Sequence, residues 1–353
     1  MSALHDFTAS MTAALEEALA PVLARGQPVA LANFPNHNNP GDNAIWLGTK
    51  AILRRMDVPI AYTCSPTTFD EATMRAAVGS GPLLLNGGGN FGDVYRGQQD
   101  LREHVLEHCT DRHVVQLPQS IWFRDPEKAQ RMGRLCRSHP AFTLFVREQI
   151  SAAFANDVLG VQPRFAPDLA LALGPLHSAA EPSVPILWLG RDDPERVERT
   201  APPPEIRFVD WVQGPPDAGF TDAERELFAE NVRLRHAVSA GGTAVKAAVA
   251  ATFDGLAHAW LRRGLDILAS ARVVITDRLH AHELAILLGI PHVVLDNANG
   301  KVRAVFEAWS GRSALAHWAE TTDEAVAAAR VLFEAAGSGR PGGEGTGAVP
   351  GLA

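Results

Sequence analysis

Short apolar runs recur along this chain at intervals that leave room for one helix between neighbours, and that rhythm restricts the fold more than any single motif. In the first half the runs are Pro28 to Phe34, Val58 to Thr63, Pro82 to Leu85, His113 to Leu117 and Phe142 to Phe145, separated by helical patterns such as Asn43 to Arg55 and Glu127 to Arg137. The rhythm pauses between Asp168 and Pro185, where Pro and small residues accumulate. It restarts with Val184 to Leu189, Ile206 to Val209, Arg235 to Ser239, Val273 to Thr276 and His292 to Leu295. Such alternation predicts parallel sheets with helices on both faces and binding groups at the carboxyl ends of the strands. The expected fold is α/β, with two doubly wound Rossmann-like domains facing a cleft, over residues 1–174 and 175–336. Residues 337–353 are rich in Gly and Pro and are expected to form a disordered tail.

Composition narrows the function. A chain of 353 residues with 46% hydrophobic content can fill two cores. A net charge of -8 and the lack of any Lys- or Arg-rich run argue against a nucleic-acid-binding surface. Cys64, Cys109 and Cys136 are odd in number and widely spaced, which argues against a disulfide framework or a cysteine zinc site and fits a cytoplasmic protein. The first helical stretch, Ala3 to Leu23, carries Asp6, Glu16 and Glu17, unlike a signal peptide. No uncharged apolar stretch reaches the roughly 18 residues that a membrane span requires. Membrane contact, if any, is therefore expected to be peripheral.

The residues with most chemistry lie between Ile275 and Val302. Arg278, His280 and His282 fall at a strand-to-helix junction, where outward-pointing N–H groups and the helix dipole favour an anion. A helix-capping turn with solvated charges is the plain alternative. Gly87, Gly89 and Gly92 satisfy G-x-G-x-x-G after a strand, but the acidic ribose ligand of a dinucleotide site is missing, since the next strand ends in Gln116, Leu117, Pro118 and Gln119. The glycines, with Gly88, are better read as close backbone approach to a ligand, flanked by Asn90 and Asp93. Asp42 and Asn43 open a helix and could cap it, and His37 lies in an Asn-rich loop as a sugar-contact candidate. His104 to His108 reads H-x-x-E-H, but its charged surroundings, Arg102 among them, indicate a solvated helix face. The pair His280 and His282 with Glu283 is a weak zinc pattern. No G-x-S-x-G elbow exists, and Ser120 and Ser151 lack the context of an activated hydroxyl.

Five segments in order, Gly41-Asp42-Asn43-Ala44-Ile45, Asn86 to Asp93, Val146-Arg147-Glu148 with Ser151, Leu189 to Glu195, and Asp277-Arg278-Leu279-His280 followed by Gly289-Ile290-Pro291, Asp296-Asn297 and Gly300-Lys301-Val302, together resemble the polysaccharide pyruvyl transferase family. The resemblance covers most of the chain. It departs at Ala281, where the family usually has Gly and where a methyl group would narrow the acceptor side of a pocket.

The resemblance implies a glycosyltransferase-B-like arrangement in which the final helix, Thr322 to Ala336, crosses back onto the first half. It also implies transfer of the enolpyruvyl unit of phosphoenolpyruvate onto two hydroxyls of a saccharide or carrier-linked glycan, with no cofactor and no metal. Arg147 and His280 are then the expected catalytic pair. Arg278, Leu279, Gly87, Gly88, Gly89 and Asn90 are expected to bind the donor, and Asp42, Asn43, His37, Gln119 and His282 to contact the acceptor or assist. Lys301 reaches an anion or covers helix surface. A sugar-nucleotide glycosyltransferase of the same architecture is the alternative, and an oligomer is possible.

Overall fold

The computed structural model describes residues 3–193 and 195–337. Its strands pair in parallel in two sheets. The first contains β1 (Val29–Ala32), β2 (Ile60–Cys64), β3 (Leu83–Leu85), β4 (Gly88–Gly92), β5 (Val114–Trp122), β6 (Phe142–Val146) and β7 (Arg164–Phe165), ordered β2-β1-β3-β5-β6-β7 with β4 beside the far end of β5. The second contains β8 (Val184–Leu189), β9 (Arg207–Val209), β10 (Ala271–Thr276), β11 (His292–Val294) and β12 (Ala316–Trp318), ordered β12-β11-β10-β8-β9. The predicted α/β class with parallel sheets is thus observed. Every residue of β1 and β3 is buried, as expected of strands covered on both faces.

The helices are α1 (Ala3–Leu19), α2 (Pro40–Arg55), α3 (Glu71–Val78), α4 (Arg96–His108), α5 (Pro126–Ser138), α6 (Gln149–Phe154), α7 (Asp222–Ala237), α8 (Thr243–Ala269), α9 (Leu279–Leu287), α10 (Lys301–Ala308) and α11 (Thr322–Gly337). One hydrophobic cluster runs through both halves. It joins Leu31, Val115 and Phe145 of the first sheet to Leu187, Leu189 and Val274 of the second through Trp46 of α2, Phe253 and Trp260 of α8 and Leu284 of α9. The composition allowed two cores, but the inward faces of the two sheets share one. The outer face of the first sheet packs on Met74, Leu101, Val105 and Met132 of α3, α4 and α5. That of the second packs on Ala325, Val326 and Ala329 of α11.

Three expectations are corrected. The final helix does not cross back: its apolar stripe is used against Ile186, Val273 and Val293 of the second sheet. Residues Arg235 to Ser239 are not a strand. Thr221 and Glu224 form a capping box that starts α7, and the helix runs on through Ala237. The glycine segment 88–92 is a strand, β4, rather than a turn.

Candidate active site

The first sheet reverses its strand order between β1 and β3, the second between β8 and β10. In open parallel sheets a crevice forms beyond the carboxyl ends of strands at such a reversal. Here the two crevices meet. Asn33 beyond β1, Asn86 and Gly87 beyond β3, Arg191 beyond β8, and Arg278 and His280 beyond β10 all line one cavity of about 240 Å³. Arg147, beyond β6, and Lys301, the first residue of α10, complete its cationic wall.

Arg147 is fully buried and tied down at three points. Its Nε donates to Ser120 Oγ at 2.9 Å, its Nη1 donates to Asp168 Oδ2, and Nη1 lies 3.4 Å from His280 Nε2. The adjacent Glu148 is used elsewhere, accepting from Ser151 N at 2.8 Å as the N-cap of α6. Asp168 also accepts from Ala170 N at 2.8 Å and stands 3.6 Å from His280 Nε2. Burial alone would raise its pKa, but the Arg147 guanidinium and His280 outweigh burial and hold the carboxyl well below the usual range. Glu283, three residues after His280 on α9, is buried with neither carboxylate oxygen hydrogen-bonded. Burial and the neighbouring Asp168 charge push its pKa well above the usual carboxylate range. Asp168, His280 and Glu283 each offer a ligand atom within 4.8 Å of the others. Asp168 in that set already faces the Arg147 guanidinium.

His280 rests on the first turn of α2. A Cβ at Gly41 would stand 2.5 Å from its Nδ1, so only glycine lets the ring sit there. The cap of α2 is Asn39, which accepts from Gly41 N at 3.1 Å, with Pro40 in the first turn; neither Asp42 nor Asn43 plays that part. Asp42 lines the cavity and accepts from Asn39 Nδ2 at 2.8 Å. Asn43 is buried and donates to His37 O and Asn39 O at 2.9 and 2.8 Å, fixing the loop that carries His37 at the cavity rim.

The glycines serve sheet geometry and access together. A Cβ at Gly92 or Gly87 would run into the backbone oxygens of Trp122 or Pro118, so both are needed for β4 to lie against β5. Gly88 has φ of 124°, a conformation side chains rarely adopt. At Gly89 a Cβ would make only ordinary contacts, 3.5 Å from Arg147 Nη2 and 3.6 Å from Lys301 Nζ. Cations from opposite halves of the molecule therefore flank the same gap. Next to it, Asn90 Oδ1 accepts from Gln119 Nε2 at 2.7 Å and Arg102 Nη2 at 2.9 Å. Gln119 is buried behind the wall and acts on the cavity through Asn90. Arg102 is not on a solvated face: it is buried beneath the glycine strand, over the Phe91 ring at 4.2 Å, and burial lowers its pKa to about 9.

Arg278 lines the second half of the cavity but is largely committed. Its Nε donates to Gly190 O at 2.9 Å, and its Nη2 reaches both Asp210 oxygens at 2.7 Å. Leu279 lines the cavity beside it. Lys301 pairs with Glu195 at 2.6 Å, which in turn lies 3.0 Å from Arg191. Burial lowers the Lys301 pKa against the pull of Glu195. Lys301 thus faces the cavity and does not merely cover helix surface.

His282 does not reach the cavity. It is buried on the far side of α9, with Nδ1 2.7 Å from His292 Nε2 and Nε2 2.6 Å from Ser310 Oγ. Ala281 is also away from the cavity, inside the shared core, so its methyl group does not narrow the pocket. His104 and His108 stack on each other on α4, and Glu107 pairs with Arg131, as a solvated face would. Sequence reasoning missed Asp168, which lies in the stretch read as a boundary, and the buried role of Arg102, whose charged neighbours suggested exposure.

Comparison with known proteins supports one assignment. The model of the polysaccharide pyruvyl transferase family matches residues 39–238 and 261–299. Pyruvyl transferase 1 of Schizosaccharomyces pombe is 31% identical over 306 residues, covering 80% of this chain and 69% of its own. A crystal structure of a functionally uncharacterized Klebsiella pneumoniae protein shares the fold, with a TM-score of 0.56 at 17% identity over 91% of this chain and 100% of its own. The matched segments carry the cavity residues from Asn39 to His280, and this chain belongs to the polysaccharide pyruvyl transferase family.

Proposed function

We propose that this protein uses phosphoenolpyruvate to build a pyruvate ketal on two hydroxyls of a saccharide, releasing phosphate. The observation that carries this reading is the gap at Gly89, flanked by Arg147 Nη2 and Lys301 Nζ beside the His280 ring. A small, strongly anionic donor needs converging cations in a water-poor site, and two such groups from opposite halves supply them. The two sheets facing across that gap suit a glycosyltransferase-B-like arrangement.

In the reaction the donor methylene takes a proton and becomes a methyl group, leaving an oxocarbenium-like carbon. One sugar oxygen bonds to that carbon, phosphate departs with its oxygen, and the second sugar oxygen takes its place. Of the two hydroxyl protons, one balances the new methyl and the other leaves with phosphate. In this reaction His280, 3.4 Å from Arg147 and 3.6 Å from Asp168, moves the protons. Arg147 stabilises charge as the phosphate leaves, while Asp168 holds both side chains in register. No metal takes part in the proposed reaction; Asp168, beside His280, is already paired with the Arg147 guanidinium.

The test is calorimetric titration with phosphoenolpyruvate and, separately, with UDP and GDP, in buffer containing EDTA. Saturable binding of phosphoenolpyruvate, lost in Arg147→Ala and weakened in Lys301→Ala, is expected. Binding of a nucleoside diphosphate with no response to phosphoenolpyruvate would favour a sugar-nucleotide transferase instead.

A further inference from the structure

A second cavity, of about 270 Å³, adjoins the first across β4 and shares Gly89, Asn90, Tyr95 and Glu195 with it. Its composition is different. The first cavity presents Arg147, Arg191, Arg278 and Lys301, whereas the second has one guanidinium, Arg124, among its lining residues together with Asp193 and Glu195. Its lining includes the apolar and aromatic residues Phe91, Val94, Tyr95 and Trp122. Tyr95 and Trp122 are 45% and 46% exposed although the fold has core to hide them in. Large apolar side chains left open together mark a surface that something else covers.

The platform is held in place. Gly92 pairs with Trp122 across β4 and β5, and a Cβ there would strike the Trp122 carbonyl. Asp93 then accepts from the backbone N–H groups of Arg124 and Asp125, both at 2.9 Å, and fixes the turn that follows. Across the cavity the second half of the molecule presents Asp193 and Asn299. A flat indole on one side with carboxylate and amide groups on the other matches a pyranose ring, which has an apolar C–H face and a rim of hydroxyls. A phosphate-bearing group would meet mainly carboxylates there.

We propose that this second cavity is the acceptor subsite, and that it takes an uncharged pyranose residue at the end of a glycan, stacked on Trp122 with hydroxyls toward Asp193 and Asn299. This rests on the proposed pyruvyl transfer. A ring held there presents its nearest hydroxyls to the gap at Gly89, where the donor carbon would lie. The cavity mouth leaves the rest of the glycan outside.

The experiment has two arms on wild type, Trp122→Ala and Trp122→Phe. Calorimetry with phosphoenolpyruvate reports the donor site. Saturation-transfer NMR with the methyl glycosides of galactose, glucose and mannose, at saturating phosphoenolpyruvate, reports the acceptor site. Wild type is expected to bind at least one glycoside. Trp122→Ala should lose at least tenfold in that affinity and Trp122→Phe should recover most of it, with donor affinity and melting temperature unchanged in both. Glycoside binding that is unaffected in Trp122→Ala, or no glycoside binding in a wild type that binds donor, would overturn the subsite while leaving the donor assignment standing. Failure of wild type to bind phosphoenolpyruvate would overturn both.

Discussion

The His280 ring lies against a glycine because the end of β10 delivers it onto the first turn of α2, and this contact fixes two predictions. Gly41→Ala places a methyl group 2.5 Å from Nδ1, so it should displace the ring and cut turnover at least tenfold, at a stability cost of about 1–3 kcal/mol for overpacking. Measuring kcat alongside the urea midpoint separates the two effects. At Arg147 the neighbours dictate the outcome. Arg147→Ala leaves Asp168 charged and buried without its partner and should cost about 3–5 kcal/mol. The double variant Arg147→Ala/Asp168→Asn should regain much of that stability by denaturant melts yet remain inactive. Recovery of activity in the double variant would show that Arg147 serves the fold alone.

At the scale of elements, α9 is joined to β11 by His282 and His292, whose rings share a 2.7 Å hydrogen bond. His292 Nδ1 is 2.8 Å from Ile290 O, so it is the donor there, and its Nε2 accepts from His282. Burial holds both imidazoles neutral: His292 is lowered to about 4, with His317 adding to the effect, and His282 is lowered well below its ordinary value. A folded state that binds fewer protons than the unfolded chain gains stability as pH rises. The His292 contribution is therefore intact above about 6.5 and is lost as pH falls from there toward 4, by up to about 1.4 kcal/mol per pH unit, and His282 acts in the same direction. His113, His139 and His258 are lowered too and add to the same slope. Urea midpoints at pH 7.5 and 5.5 should show a smaller drop in a His282→Gln/His292→Gln variant than in wild type; an equal drop would contradict this account. The same elements show what the sequence could convey. Alternating apolar runs marked nine strands because each carries several β-branched or aliphatic residues. They missed β4, made mostly of glycine, and β7 and β12, which have two and three residues. Which way α9 turns its histidines was not readable either, since His280 and His282 differ only in which packed surface each meets.

For the whole molecule, the decisive feature is that two sheets reverse their strand order at positions that face each other, so one cavity draws cations from both halves. A ligand spanning the gap should stabilise the folded chain. Phosphoenolpyruvate at 100 times its dissociation constant would add about 2.7 kcal/mol, read as a higher melting temperature that falls away in Lys301→Ala. The motif order along the chain pointed to the family before any coordinates, and Arg147 and His280, both named from those motifs, lie 3.4 Å apart. Asp168 was not legible, since its role depends on a turn that brings it beneath both side chains. The most direct test is phosphate release from phosphoenolpyruvate with galactose-, glucose- and mannose-type acceptors, with product masses, for wild type, Arg147→Lys and His280→Ala. Acceptor-dependent release with the mass gain of a pyruvate ketal is expected. Both variants should lose at least a hundredfold in rate, on the order of 3 kcal/mol for each well-placed group. Release that continues unchanged in His280→Ala, or the absence of a ketal product with every acceptor, would contradict the proposed reaction.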